Sequence, residues 1–211
     1  MERFRPVGVK EFYDRIHPQY YDAEAHRVSC RVREIHEEIL RSLRAEVNGC
    51  LLDVGCASQA PVTDSVGCDI SIEGLRIRKA SFPGNRSVCA DITCLPFNVG
   101  SFSAMLAGLL FDHVEEPRLA FEALRSVSGP GARLIVTVFE DESRPGEKYR
   151  GDRLHYKSTD GTAYSVPSYG WRRDKLESEA KNSGWLLSSG RTYETCEEGF
   201  QLLRLDFRRA G

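Results

Sequence analysis

Leu51-Leu52-Asp53-Val54-Gly55-Cys56-Ala57 is the stretch that decides how this chain folds. A short apolar run, long enough for one buried strand, ends beside an acidic residue and then meets a glycine where the backbone must turn sharply. A side chain at Gly55 would hold a ligand away from that turn. A second apolar run, Val66-Gly67-Cys68-Asp69-Ile70, follows soon after, with Pro61 between the two. Asp53 and Asp69 stand 16 positions apart, against about 20 in dinucleotide-binding sites. The connection between the two strands is therefore expected to be a loop or a very short helix.

Working outward, strands and helices alternate. Ile72 to Ser81 reads as a helix, Ser87 to Ala90 as a short strand, and Ala104 to Leu110 as a longer buried one. Pro117 opens a helix whose core face is Ala120, Leu124 and Val127, and Ser128-Gly129-Pro130-Gly131 is expected to end it. Leu134 to Phe139 is a strand buried on both faces. Upstream, Val28, Val32, Ile35, Ile39 and Leu43 form one apolar stripe of a helix from about Ala23 to Leu43. Downstream, Asp160-Gly161 joins Leu154–Thr159 to Thr162–Val166 as a hairpin, and a helix runs from about Trp171 to Asn182. Leu203, Leu205 and Phe207 alternate with Arg204, Asp206 and Arg208, which predicts a half-exposed antiparallel strand. Buried strands joined by helices predict an α/β, Rossmann-like fold. It has a mostly parallel seven-stranded sheet with an antiparallel last strand and helices on both faces.

The chain has 211 residues, apolar content of 41%, charged content of 28% and a net charge of −2. That suits one domain and offers no global basic field for nucleic acid. No run reaches the apolar length of a spanning helix, and the N-terminal residues lack the apolar core of a secretory signal. The expectation is a cytoplasmic chain without a membrane partner. The seven cysteines include no Cys-x-x-Cys pair, which predicts small buried thiols and neither a disulfide framework nor a metal site.

Asp53, Asp69 and Asp91 follow three successive strands, and in such sheets ligands bind beyond the strands' carboxyl ends. From Phe12 to Phe139 the sequence resembles the class I methyltransferases, in particular the group containing the ubiquinone and menaquinone C-methyltransferases. Leu51 to Cys56 is similar to that family's first motif and Val66 to Ser71 to its second. Ala90-Asp91-Ile92 with Leu95-Pro96-Phe97 is similar to the third. Leu110-Phe111-Asp112-His113-Val114 resembles the exit of its fourth strand, and Gly129 to Leu134 the turn into its fifth. Phe12-Tyr13-Asp14-Arg15-Ile16 and Tyr20-Tyr21-Asp22 resemble its N-terminal cover. The resemblance implies S-adenosylmethionine as cofactor. It is expected to be held by Asp53, Gly55, Cys56, Ala57, Asp69, Ile70, Asp91, Ile92, Leu109 and Tyr21. Asp69 would take the ribose and Asp91 the adenine amino group. Two departures are visible. Ala57 and Gln59 stand where the family has further glycines.

The resemblance divides the chain into an N-terminal cap (1–45), a cofactor-binding core (46–140), an acceptor-site insertion (141–170) and a C-terminal helix with strands (171–211). The implied activity is methyl transfer to a small-molecule acceptor by in-line displacement. Alternatives are a weakly active or inactive binding or scaffold protein and a tRNA-modifying methyltransferase; mild acidity argues only weakly against nucleic acid. The sequence does not fix a catalytic group. His155 and Tyr156, in the region that shapes the acceptor pocket, and His113 are the candidates. It does not fix the acceptor or the oligomeric state.

Overall fold

The computed structural model describes residues 4–17, 27–140, 149–195 and 201–211. In chain order the first elements are β1 (Arg5–Pro6), α1 (Val9–Ile16), α2 (Arg27–Glu46), β2 (Leu51–Val54), β3 (Ser65–Asp69) and α3 (Ile72–Ser81). Next come β4 (Arg86–Cys89), β5 (Phe102–Gly108), a 3-10 turn (Phe111–His113), α4 (Pro117–Val127) and β6 (Ser128–Phe139). The chain continues with β7 (Arg153–Lys157), β8 (Ala163–Pro167), α5 (Arg173–Asn182), β9 (Trp185–Glu194) and β10 (Gln201–Arg209).

Seven strands form the main sheet in the order β4-β3-β2-β5-β6-β10-β9. β2 is central. It pairs parallel with β3 and β5, setting Leu52 beside Val66 and Met105. β10 runs antiparallel to both β6 and β9. The Rossmann-like, mostly parallel sheet with an antiparallel closing strand is thus present. Alternation along the strands divides the core in two. Leu52, Val54, Met105, Ala107, Leu134 and Val136 pack toward α4 and α5. Leu51, Ala104, Leu106 and Ile135 pack beneath α2, meeting Val32, Ile35, Ile39, Leu40 and Leu43. Val28, the first member of that predicted stripe, lies outside the described side chains. Each fully buried aliphatic or aromatic side chain adds about 1.5–3 kcal/mol, so both faces of the sheet carry stability. α4 begins at Pro117 and buries Ala120, Phe121, Leu124 and Val127.

Between β2 and β3 there is no helix, as the short spacing and Pro61 predict. A separate three-stranded sheet, β1-β8-β7, carries the Asp160–Gly161 hairpin, with Lys157 opposite Ala163. α1 packs on it through Phe12 and Ile16 against Tyr164 and Val166.

Three expectations need correction. β10 is not half exposed, because β9 covers its outer side and Arg204 and Asp206 are buried. They satisfy each other through a two-pronged pair, Nε to Oδ2 at 2.8 Å and Nη2 to Oδ1 at 2.6 Å. Second, Ser128 to Gly131 ends α4 but is drawn into β6, since Ser128 pairs with Phe102 before the register shifts. Third, the cysteines are not uniformly buried. Cys56 and Cys68 are, whereas Cys89 and Cys94 are exposed. Among the described residues no helix is long and apolar enough to cross a membrane.

Candidate active site

A cavity opens at the carboxyl ends of β2, β3 and β5, under α1 and α2. Its floor is built by the loop after β2. Gly55 turns with φ +74°, in the left-handed region where glycine carries no steric penalty, and its amide donates to the Cys68 carbonyl at 2.8 Å. Ala57 also sits at positive φ, +44°. An alanine there costs about 1–2 kcal/mol, and the local compensation is a hydrogen bond from its amide to Asp69 Oδ2 at 2.8 Å.

Asp69 ends β3, lines the cavity, and accepts a second amide, that of Ser71, on Oδ1 at 2.8 Å. Burial raises its carboxyl to about 6, despite the two amide bonds that favour the anion; the nearby Asp53 charge adds to the rise. Ile70 and Leu109 join the same lining. Leu109 is held at φ +48° by its amide, which donates to the Thr137 carbonyl and lies 3.1 Å from Thr137 Oγ1.

The three strand-end carboxylates do not converge. Asp53 is buried below the loop, where Arg78 Nη1 donates to its Oδ2 at 3.2 Å and also reaches the Cys56 carbonyl at 3.5 Å. Burial raises the Asp53 carboxyl even against the attraction of Arg78. Arg78 is itself fully buried, and its Nε and Nη2 have no partner among the described residues. Asp91 is exposed and closes its own turn, accepting Thr93 N and Oγ1, both at 2.8 Å. Cys56 and Ile92 are packed in the interior, away from the cavity lining. Of the expected cofactor residues, Gly55, Ala57, Asp69, Ile70 and Leu109 therefore share one cavity, while Asp53, Cys56, Asp91 and Ile92 do not line it. Tyr21 lies outside the described residues.

The candidates for catalysis also separate. His155 packs edge-on against Phe4, with ring centres 4.5 Å apart, and Tyr156 packs against Phe12 at 5.4 Å. Both belong to the accessory sheet and neither lines the cavity. His113, from the 3-10 turn, does line it.

Several lining groups were not anticipated. His36 of α2 bonds Thr137 Oγ1 through Nε2 at 2.8 Å and meets Gln59 through Nδ1 at 3.4 Å. Gly108 leaves the room, since a Cβ there would stand 2.6 Å from the His36 ring. His17 overlies Gly74 in the same way, at 2.8 Å. Burial lowers both imidazoles to about 4, with the Asp14 charge working the other way on His17, so both are neutral at neutral pH. Arg33 of α2 also belongs to the lining, with its Nε 3.8 Å from Glu37 Oε1. The signal for His36 was present: it falls on the apolar stripe of α2, between Val32 and Ile39.

A family model described as a methyltransferase domain matches residues 52–136. The demethylmenaquinone methyltransferase of Paenarthrobacter aurescens is 28% identical over 142 residues, covering 64% of this chain and 56% of that protein. The chain thus spans just over half the length of that curated relative. A putative methyltransferase of Haloferax volcanii, solved in complex with the Trm112 methyltransferase activator, superposes with a TM-score of 0.74. It is 13% identical, with 96% of this chain and 98% of that one covered. The 1,6-didemethyltoxoflavin-N1-methyltransferase of Burkholderia thailandensis, solved with S-adenosylhomocysteine, gives a TM-score of 0.64. It is 12% identical, with 96% and 88% covered. At these identities the two structures show a shared fold.

Proposed function

We propose that the chain is a class I methyltransferase that transfers a methyl group from S-adenosylmethionine to a small-molecule acceptor, a reading supported by the methyltransferase-domain model over residues 52–136. One observation carries the reading. Gly55, Ala57, Asp69, Ile70 and Leu109, drawn from three neighbouring strand ends, line one cavity, at the place where open parallel sheets bind their ligands.

The residues fit the cofactor at its ribose end. Asp69 spends one acceptor position of each oxygen on a backbone amide, and a carboxylate has further positions for a diol. Gly55 and Ala57 present backbone rather than side chain to the cavity floor, and Ile70 and Leu109 supply apolar walls for a flat ring. Arg78 acts from below. By pairing with Asp53 and reaching the Cys56 carbonyl, it braces the loop after β2. When bound, the cofactor supplies a methyl group on a sulfonium. The chain's own contribution is alignment and exclusion of water. His17 and His36, kept neutral by burial, add no positive charge against a sulfonium.

A second reading is a methyltransferase fold serving as a binding module. Asp53 and Asp91 are both engaged elsewhere, which favours it. Calorimetry with S-adenosylhomocysteine separates the two. Binding in the micromolar range that Asp69→Ala weakens supports methyl transfer. No heat at millimolar ligand supports the binding module.

A further inference from the structure

We propose that Gln59, oriented by His36 and Thr137, is an uncharged hydrogen-bond donor for the carboxylate at the amino-acid end of the cofactor. The proposal rests on the methyl-transfer reading and extends it to the end of the ligand opposite the ribose.

The argument starts at Thr137, which is fully buried. Among the described residues its Oγ1 meets only His36 Nε2, at 2.8 Å, and the Leu109 amide, at 3.1 Å. An amide N–H can only donate, so the Thr137 hydroxyl hydrogen has one place to go, the lone pair of His36 Nε2. Burial lowers the His36 imidazole to about 4, so the ring is neutral at neutral pH. Its single hydrogen therefore sits on Nδ1. The Gln59 amide meets Nδ1 through its Nε2 position, at 3.4 Å. A nitrogen at that position sets two donors face to face. An oxygen there accepts the Nδ1 hydrogen, and the chain from Leu109 through Thr137 and His36 to Gln59 is then satisfied at every link. The two ends of a carboxamide have nearly the same shape, so the partners decide which way it faces. The oxygen faces His36, and the NH2 group is left for the cavity that Gln59 lines.

Gln59 is also fixed through its backbone, whose amide donates to the Cys56 carbonyl at 2.9 Å and closes the turn after β2. The resemblance places a glycine at this position, and a glycine has no side chain to offer, so the donor belongs to this chain's own departure from the pattern. The charged side chains lining the cavity are Asp69 and Arg33. Asp69, at the end of β3, takes the ribose in the proposed site and repels a second anion. A carboxylate is therefore directed to the α2 side, where Gln59, His36 and Arg33 stand. Arg33 shares its charge with Glu37, 3.8 Å away. A primary amide donates two hydrogens without a charge, so it can hold a carboxylate without placing a cation near the sulfonium. Gln59 is the binding residue, and His36 and Thr137 are positioning residues.

The test compares S-adenosylhomocysteine with 5′-methylthioadenosine, which lacks the amino-acid end. Calorimetry on the full chain gives the affinity of each for the wild type and for Gln59→Glu. The variant keeps the shape of the side chain and an acceptor for His36 Nδ1–H, but sets an anion where the NH2 group was. It is expected to weaken S-adenosylhomocysteine by about tenfold or more and to leave 5′-methylthioadenosine within about twofold. A substitution that merely disturbed the loop would weaken both together, so the ratio isolates the contact. Equal weakening of the two ligands overturns the proposal. Tighter binding of S-adenosylhomocysteine does so too, since it would mean that Gln59 faces the ligand's ammonium with its oxygen. If the wild type binds neither ligand, the cofactor reading fails and the proposal with it; if it binds both and Gln59→Glu leaves their ratio unchanged, the proposal fails alone. Imidazole nitrogen NMR of the unliganded chain, assigned against His36→Phe, adds a readout that needs no ligand. It should show a neutral His36 ring with a bare Nε2, and a hydrogen on Nε2 would overturn the proposal whatever the ligands do.

Discussion

Ala57 shows most directly what the sequence at this loop does. Alanine in a left-handed conformation is strained by about 1–2 kcal/mol, and the residue sits at φ +44°. Ala57→Gly would release that strain and lose about 0.4–1 kcal/mol to the greater freedom of the unfolded chain. The strain is the larger effect, so the variant is expected to gain about 0.5–1 kcal/mol, raising the melting temperature by about 1–4 °C. Thermal unfolding checks it, and a loss of stability would mean that the methyl group packs better than its backbone costs. Asp69 gives the second residue-scale prediction. Its carboxyl is raised to about 6 by burial. In the proposed site a ribose diol donates to the ionised form, so affinity for S-adenosylhomocysteine is expected to be flat above about pH 6.5 and to fall below pH 6. The fall approaches tenfold per unit. The sign for folding is the reverse. A raised carboxyl binds protons more readily folded than unfolded, so its contribution to stability is present at low pH and lost as pH rises through 6. Calorimetry across pH 5 to 8, repeated on Asp69→Asn, separates the two, because only the wild type should lose affinity through this window.

At the scale of elements, α3 shows how local sequence signals become a wall of the site. Ser71 caps it by accepting the Gly74 amide at 3.1 Å, and its hydroxyl donates to Asp14 Oδ1 on α1 at 2.7 Å. One side chain thus starts a helix and ties down the N-terminal cover. Ser71→Ala is expected to cost about 1–2 kcal/mol, a cap plus a hydrogen bond to a carboxylate. The comparison is Ser126→Ala, whose hydroxyl only meets a carbonyl of its own helix and which should stay within about 0.5 kcal/mol. Denaturant unfolding of the two variants tests the difference. Elements of this kind were legible in the sequence because their signals are local. The apolar stripe of α2, Pro117 at the start of α4 and the Asp160–Gly161 hairpin each depend on neighbours within a few positions. The pairings of Asp53 with Arg78, His36 with Thr137 and Arg204 with Asp206 were not legible as partnerships. The first two join residues 25 and 101 positions apart. The third is local, but it reads as a solvated pair until β9 is known to cover β10. The position of Asp53 at a strand end, with the family resemblance, points to a ligand, and Arg78 reads locally as one more basic residue in the last turn of a helix.

For the whole molecule, the cavity sits where two separately built parts meet. The main sheet and α2 supply Gly55, Asp69, Leu109 and His36, while α1, packed on the accessory sheet, supplies Val9 and Tyr13. Bonds that join the parts near the cavity include Asp14 with Ser71 and Tyr13 with His113. A ligand spanning the cavity would add contacts to both parts at once, so binding should stiffen α1 and the loop after β2 more than the strands, which are already buried. At a ligand concentration about 100 times its dissociation constant the stabilisation is about 2.7 kcal/mol. For a chain of this length that corresponds to a rise of about 5–10 °C in melting temperature. S-adenosylhomocysteine should produce the rise and NAD should not, because the loop after β2 offers Gly55 but lacks two of the three glycines that admit a dinucleotide pyrophosphate. Hydrogen exchange adds the spatial test: protection gained over residues 9–16 and 55–59 would follow from a ligand bridging the two parts. Protection confined to the main sheet would mean that α1 closes the cavity without taking part in binding, and the acceptor end of the site would then have to be sought elsewhere.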